Sequence, residues 1–278
     1  MTRLIQSIRR NLALIFLLPS LAACSLQNSL VYYPQAYPFP SSALPAQIRV
    51  LDFKSSEGAQ RAFYVVPRSG KLDHLWVMFG GNGAVALGWR DWVNQYPEAN
   101  TGFLLIDYPG YGYCEGKPGA GAILESSKLA FGTLAKTLNI DEEQLWNKTA
   151  ILGHSLGAAA ALQFAAKHTP QQLVLVSPFT TLREIGQHVV SKAVGPLINN
   201  EYDNVARLKE VEAHGVPVHV VHGSADEVIP VEFGRELSKS GKDVKYEEVA
   251  GAHHNDIFNR GRAAVMRAMG QTEIIAIE

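Results

Sequence analysis

The stretch from Ala150 to His168 reads AILGHSLGAAAALQFAAKH and limits the possible folds more than any other part of the chain. A short apolar run leads into the pattern G-x-S-x-G at residues 153–157, and an alanine-rich run follows. The two glycines allow a tight turn between a strand and a helix, which holds the Ser155 hydroxyl above the end of a sheet. An ordinary helix N-cap is the alternative, but the preceding strand and the small residues of the helix favour a nucleophile.

Short apolar runs that alternate with helical segments recur along the chain. The first two alternate in polarity and predict an antiparallel pair, whereas the later ones are nearly continuous, as in buried parallel strands. The eight runs are IRVLDF, RAFYVV, LWVMFGG, GFLLIDY, TAILGHS, LVLVSP, VHVVHG and KYEEVA. Helical spacing appears between them, for example in GAILESSKLAFGTLAKTL. We therefore predict one α/β domain over residues 49–278, with a mainly parallel sheet, helices on both faces and a crevice at the carboxyl ends of the strands.

The first 23 residues have the three parts of an export signal. Arginines stand near the start, the apolar run LALIFLLPSLAA follows, and small residues close the segment. The run is short for a membrane span and is interrupted by a proline. We predict a signal peptide over residues 1–23.

Cys24 follows directly after the small residues. The sequence LAAC resembles the lipobox of bacterial lipoproteins, in which the cysteine carries the lipid once the signal is removed. An ordinary signal peptide or an N-terminal anchor is the alternative. Ser25 is not the aspartate that would resemble an inner-membrane retention signal, which favours the outer membrane, facing the periplasm. The prediction is a lipid-anchored protein of the bacterial cell envelope, with a lipidated tether over residues 24–48.

Charge and cysteine content exclude several classes of protein. The chain has 25 basic and 26 acidic residues, and removal of the predicted signal leaves 22 basic residues against 26. A weakly acidic chain without clustered Lys and Arg lacks the footprint of a nucleic-acid-binding protein. If Cys24 carries lipid, Cys114 has no partner for an internal disulfide. Neither H-E-x-x-H nor paired-cysteine spacing occurs, so we expect no metal and no organic cofactor.

A serine nucleophile needs a base, and a third group must orient that base. Asp226 stands just beyond the predicted strand from Val218 to His222 and is the candidate acid. Glu227 beside it is interpreted as a solvated loop residue. His222 and Asp203 are less favoured, because the former belongs to the strand end and the latter to a helix start.

The candidate base lies near the end of the chain, where His253 and His254 are adjacent. Neighbouring side chains point in different directions, so one catalytic point can use only one of the two rings. Both follow the predicted strand KYEEVA, and their position alone does not separate them.

Several longer motifs together resemble the α/β-hydrolase superfamily. Within it, the resemblance is to a branch that includes abhydrolase-domain depalmitoylating thioesterases and bacterial hydrolases labelled serine-aminopeptidase-like. The motifs are FGGNG, DYPGYGYCEGKP, GHSLG, SPFTTLRE, YDNVARL, HGSADEVIP and HHNDIF. The last motif of this branch commonly reads G-H-N-D. The resemblance therefore implies that His254 is the base and that His253 occupies the place of the glycine.

An oxyanion hole requires two backbone N–H groups that face the tetrahedral oxygen. Leu156, directly after the nucleophile, supplies one of them. The resemblance places GGNG where hydrolases commonly have an H-G pattern, which makes the N–H of Asn82 the second donor; a plain turn is the alternative. Cys114 stands where the family commonly has a serine, and we expect a small buried side chain rather than a nucleophile.

These residues predict a serine hydrolase with an acyl-enzyme on Ser155, and the resemblance to depalmitoylating enzymes, with the predicted lipid anchor, implies carboxylic ester or thioester substrates. The segment from Thr180 to Gly215 is expected to form a short cap over an acyl pocket. The expected partners are a small-molecule or lipid acyl substrate and, through lipidated Cys24, the membrane. The alternatives are a peptidase or amidase of the serine-aminopeptidase-like type and a non-catalytic binding lipoprotein. Ser155 argues against the aspartate-nucleophile chemistry of dehalogenases.

Overall fold

The computed structural model of the chain describes residues 31–39, 44, 47–189 and 199–271. The predicted signal peptide over residues 1–23 and the predicted lipidation site Cys24 lie outside the described residues, as do residues 190–198 of the predicted cap. None of the described helices is both long enough and apolar enough to cross a membrane.

Among the described residues, eight strands form one sheet. They are β1 (Ile48–Ser55), β2 (Gly58–Val65), β3 (His74–Phe79), β4 (Thr101–Ile106), β5 (Thr149–His154), β6 (Leu173–Val176), β7 (Val218–Gly223) and β8 (Val244–Val249). Their spatial order is β1-β2-β4-β3-β5-β6-β7-β8. β2 is antiparallel to both of its neighbours, whereas all other pairs are parallel. The predicted α/β architecture with a mainly parallel sheet is confirmed.

Helices connect most of the strands. They are α1 (Arg90–Asn94), which follows a 3₁₀ turn at Ala86–Trp89, α2 (Ala120–Leu138), α3 (Glu142–Trp146), α4 (Leu156–Ala165), α5 (Leu182–Val189), α6 (Asn204–Ala213), α7 (Val231–Ser240), α8 (Ile257–Arg260) and α9 (Arg262–Ala268). Helices α5 and α6 are the helical parts of the predicted cap that the structure describes. Asp203 begins α6, where its carboxylate accepts from the Ala206 N–H at 3.0 Å.

The sheet separates two apolar layers. Along β3, Leu75, Val77 and Phe79 belong to the first layer, and Trp76 and Met78 belong to the second, because successive side chains point to opposite faces. Residues of α2, α3, α4, α6 and α7 pack in the first layer, and those of α1, α8 and α9 pack in the second. The central strands are therefore apolar on both faces, which explains their continuous apolar sequences.

Residues 31–39 lie against the domain and are called the strap below. Tyr32 is buried in the first apolar layer. Ala36 pairs with Gly112 in a single parallel bridge, and the ring of Tyr37 lies 4.5 Å from that of Tyr113. This part of the predicted tether is thus packed on the domain.

Candidate active site

Ser155 occupies a strained turn between β5 and α4. Its φ is 56° and its ψ is −121°, a conformation that residues other than glycine rarely adopt. The flanking glycines make the turn possible, because a Cβ on Gly153 would lie 2.2 Å from the carbonyl oxygen of Gly157, and one on Gly157 would lie 2.3 Å from that of Phe79. The Ser155 N–H donates to the Val176 carbonyl at 2.9 Å. The predicted strand, turn and helix are all present.

Asp226 and His254 form a buried pair at the carboxyl ends of β7 and β8. Because these strands are parallel neighbours, they deliver both side chains to the same edge of the sheet. The Nδ1 atom of His254 lies 2.8 Å from Oδ2 of Asp226. The other carboxylate oxygen accepts from the N–H groups of Val228 at 3.0 Å and Ile229 at 2.8 Å. Both oxygens of the Asp226 carboxylate are therefore fixed, and the carboxylate holds the Nδ1 edge of the imidazole.

His222, which the sequence interpretation set aside, also contacts the acid. Its Nε2 atom lies 2.8 Å from the Ile229 carbonyl oxygen and 3.3 Å from Oδ2 of Asp226. A carbonyl oxygen only accepts hydrogen bonds, so Nε2 carries the proton. Burial raises the pKa of Asp226, but hydrogen bonds from His222 and His254 outweigh burial and hold that pKa well below its usual range. Asp226 therefore stays ionised.

The structure gives the two adjacent histidines different surroundings. His254 is buried against Asp226, whereas the side chain of His253 is 55% exposed. The Nδ1 atom of His253 lies 3.0 Å from an oxygen of Glu227, and its N–H donates to Asp256 at 2.7 Å. Only His254 therefore faces the buried acid, and Glu227 is an exposed partner of His253.

His154, directly before Ser155, joins the turn to the histidine loop. Its Nε2 atom lies 3.2 Å from the His254 carbonyl oxygen, so Nε2 carries the proton. Burial, with a further effect of the His254 charge, lowers the pKa of His154 to about 3. His154 is therefore neutral, and its hydrogen bond brings the His254 loop next to Ser155.

The GGNG stretch forms a tight turn beside Ser155. Gly81 approaches Ser155 so closely that a Cβ on Gly81 would lie 3.4 Å from the Cβ of Ser155. The Ala84 N–H donates to the Gly81 carbonyl at 3.1 Å and closes the turn. Asn82 follows in this turn. Leu156 is the first residue of α4, and an N–H in the first turn of a helix has no acceptor within the helix.

Cys114 lies apart from this cluster. Its sulfur is 3.3 Å from the Arg61 nitrogen and 3.4 Å from the Arg61 carbonyl oxygen. The side chain is partly rather than fully buried, a correction to the sequence expectation. Burial raises the pKa of the Cys114 thiol to about 12, so the thiolate does not form near neutral pH.

Among the residues described, no cluster of three or more His, Cys, Asp or Glu side chains is arranged to hold a metal ion.

A cavity of about 390 Å³ opens next to His154 and Gly81. Its walls include Trp89, Trp92 and Phe258, and the rings of Trp89 and Phe258 meet edge to face at 4.7 Å. Polar groups stand around the aromatic walls, and they are Asp91, Gln95, Asn255, Asn259 and Arg262. The cavity therefore places aromatic walls and a polar rim beside His154, the residue directly before Ser155.

A strained serine at the end of a central parallel strand, with an Asp–His pair after two later strands, defines a hydrolase with an α/β fold. The comparisons with known proteins agree with this class. Residues 77–209 match the family described as "Serine aminopeptidase, S33". The chain is 31% identical over 246 residues to the uncharacterised protein Rv2307c of Mycobacterium tuberculosis, which covers 84% of this chain and 82% of that protein. The chain belongs to the α/β-hydrolase superfamily.

More distant relatives and solved structures show the same fold. The alpha/beta hydrolase domain-containing protein 17B of Homo sapiens is 26% identical over 184 residues, or 65% of this chain and 60% of that protein. The Pyrococcus furiosus esterase Pf2001 superposes with a TM-score of 0.64 at 14% identity and covers 86% of this chain and 97% of its own. The esterase RhEst1 of Rhodococcus sp. ECU1013 superposes with a TM-score of 0.58 at 16% identity and covers 81% and 98%.

Proposed function

We propose that this hydrolase cleaves carboxylic ester or thioester bonds through an acyl-enzyme on Ser155. The observation that carries the proposal is the 2.8 Å contact between His254 Nδ1 and Asp226. The backbone carbonyl of the same His254 contacts the ring of His154, which directly precedes the strained Ser155. A serine, a buried acid and an oriented imidazole are the three groups that acyl transfer requires.

The first half of the reaction forms the acyl-enzyme. Because Nδ1–H of His254 donates a hydrogen bond to Asp226, the lone pair of His254 is on Nε2. The Ser155 oxygen attacks the carbonyl carbon while Nε2 takes the hydroxyl proton, and the N–H groups of Asn82 and Leu156 stabilise the resulting oxyanion. The intermediate then collapses, the alcohol or thiol leaves with the proton from Nε2, and the acyl group remains on Ser155.

Water completes the cycle by the same route. It gives a proton to Nε2 of His254 as its oxygen attacks the acyl carbon, and the Ser155 oxygen leaves with that proton. Two features favour the imidazolium in both halves. Asp226 is ionised because its hydrogen bonds hold its pKa low. His154 is neutral, since its pKa is lowered to about 3, and it adds no positive charge beside His254.

Covalent labelling by a fluorophosphonate probe tests the proposal, because it reports an activated serine without a known substrate. We expect the full-length protein to be labelled and Ser155→Ala to remain unlabelled. Absence of labelling in the folded wild-type protein would contradict the proposal and favour a binding lipoprotein.

Turnover of leucine p-nitroanilide well above that of p-nitrophenyl butyrate would favour the peptidase alternative, for which the exposed Asp91 at the cavity is the candidate amine partner.

The aromatic cavity supports an apolar acyl group as the substrate portion next to Ser155. Gly88 lines this cavity, and a Cβ on it would meet no atom within 4 Å, so a larger side chain fits without a clash. We expect Gly88→Leu to lower kcat/KM for p-nitrophenyl octanoate about tenfold more than for the acetate, since lost apolar contacts discriminate by chain length.

Gly121 provides the matched control for this cavity test. It lies in α2, is not among the residues that line the cavity, and its Cβ would also meet no atom within 4 Å. Gly121→Leu should leave the ratio of octanoate to acetate activity unchanged. Equal losses for both esters in Gly88→Leu would place the acyl group elsewhere.

We also propose that Cys24 carries a lipid and places the enzyme on the cell envelope, facing the periplasm.

A further inference from the structure

The strap is hydrogen-bonded to the turn that contains Asn82. The Asn82 side chain donates from Nδ2 to the Val31 carbonyl at 2.6 Å and accepts at Oδ1 from the Tyr33 N–H at 2.9 Å. The Tyr111 hydroxyl donates to the same Oδ1 at 2.9 Å. Asn82 is exposed, yet three groups hold its side chain, and two of them belong to the strap. An exposed amide with only water as its partner would move freely, whereas this one is fixed.

Two buried tyrosines support the turn from inside the domain. Tyr111 is fully buried, and its hydroxyl oxygen also lies 3.1 Å from the Tyr33 nitrogen. The Tyr108 hydroxyl donates to the Gly80 carbonyl at 2.6 Å, and the two tyrosine rings meet edge to face at 5.5 Å. Gly80 and Asn82 flank Gly81, so both sides of the segment nearest Ser155 are held by rigid aromatic side chains.

The strap itself is fixed at two further points. The Tyr37 hydroxyl donates to the buried carboxylate of Asp107 at 2.8 Å. The Tyr32 hydroxyl donates to that of Tyr202 at 3.3 Å, and both of these tyrosines are buried. Because Tyr202 lies two residues before α6, the strap connects the turn that contains Asn82, called the oxyanion turn below, to the predicted cap. Displacement of the strap would therefore break the buried Tyr32–Tyr202 hydrogen bond and the partly buried Tyr37–Asp107 hydrogen bond together.

We propose that the strap and Tyr111 are positioning elements of the oxyanion hole. They hold the Asn82 side chain so that the N–H of the same residue keeps its place beside Ser155. Preorganised donors stabilise an oxyanion strongly because they need no reorganisation during the reaction. A displacement of about 1 Å costs up to about a hundredfold in rate. This inference rests on the proposed function, in which Asn82 supplies an oxyanion donor.

The variant Tyr111→Phe in the full-length protein tests the inference, since it removes one hydroxyl and keeps the buried ring. With p-nitrophenyl butyrate we expect kcat to fall about tenfold while KM stays within about twofold, because the lost interaction acts in the transition state. Tyr113→Phe is the matched control. Its hydroxyl donates to the strap at the Phe39 carbonyl, away from the oxyanion turn, and its kcat should match the wild-type value.

A double-mutant cycle keeps the test decisive if Tyr111→Phe lowers stability. Asn82→Ala, at an exposed position, should lower kcat by a similar factor, and Tyr111→Phe should add little to it, since both changes release the same turn. A drop in Tm with unchanged kcat, or fully additive effects on kcat, would overturn the inference. Fluorophosphonate labelling separates this failure from that of the proposed function, because a labelled wild-type Ser155 keeps the acyl-enzyme mechanism whatever the effect of Tyr111→Phe on kcat.

Discussion

Two histidines that are neighbours in the chain have opposite surroundings in the folded protein. His254 is 5% exposed and meets Asp226, whereas His253 projects outward to Glu227. Their position in the sequence could not separate them, because both follow β8 at the crevice edge. The resemblance to the G-H-N-D pattern favoured His254, and the geometry gives a physical reason. Of the two adjacent histidines, only His254 contacts the buried carboxylate of Asp226.

Substitution of each histidine checks this assignment. We expect His254→Ala to lower kcat for p-nitrophenyl butyrate about 10⁴-fold, because no other group takes the serine proton. His253→Ala should change kcat by less than about threefold, since an exposed ion pair contributes little. Circular dichroism of both variants controls for folding. The opposite ranking of the two variants would assign the base to His253.

His222 shows what a sequence pattern leaves out at the residue scale. It stands four residues before Asp226 at the end of β7, and the sequence favoured a purely structural place for it. In the structure, its Nε2 atom lies 3.3 Å from Oδ2 of Asp226. The partners of the His222 ring depend on the path of the loop from Asp226 to Ile229. This path cannot be predicted from the sequence, because the loop has no periodic pattern of apolar residues. A histidine close before a candidate acid was the available signal.

Among the elements, the strap was the least predictable from sequence. It belongs to the predicted tether over residues 24–48, and its tyrosines and Phe39 are residues that disordered linkers commonly lack. The contacts that fix it join distant residues, such as Tyr32 with Tyr202 and Tyr33 with Asn82. The hydrogen bonds that join Asn82 to Val31 and Tyr33 use backbone groups of the strap, so no particular residue type in the strap predicts them. Strands and helices, in contrast, repeat their pattern locally.

Asp107, at the end of β4, is a buried carboxyl under the strap. It accepts from the Ala86 N–H at 2.7 Å and from the Tyr37 hydroxyl at 2.8 Å. Burial raises the pKa of Asp107 to about 6, because these two hydrogen bonds only partly offset the loss of water. The folded protein therefore holds this proton more tightly than the unfolded chain does.

This raised pKa predicts a pH-dependent difference between the wild-type protein and Asp107→Asn. The contribution of protonated Asp107 to stability is fully present below pH 4 and is lost as the pH rises through about 6. The ionised form costs about 3 kcal/mol, which asparagine avoids. We expect Asp107→Asn to gain stability relative to wild type between pH 4.5 and pH 7.5, as measured by urea unfolding. A constant difference in unfolding free energy would show that Asp107 has an ordinary pKa.

At the scale of the whole molecule, the fold was the most predictable property. Each central strand is covered on both faces, so its sequence must be apolar throughout, and helices between such runs require parallel crossovers. The same rule placed Ser155, Asp226 and His254 at one edge of the sheet before any geometry was known. The order of the strands and the packing of the strap depend on contacts between distant segments, which local patterns do not encode.

The position of the strap also bears on the predicted lipid anchor at Cys24. Val31 contacts the turn that contains Asn82 and stands seven positions after Cys24 in the sequence, a length that spans about 25 Å when fully extended. If Cys24 carries the predicted lipid, this turn stays within roughly that distance of the bilayer. Encounters with substrate would then depend on its density per unit area of membrane. Catalysis would follow two-dimensional surface kinetics, and a dissolved ester would report only part of the rate.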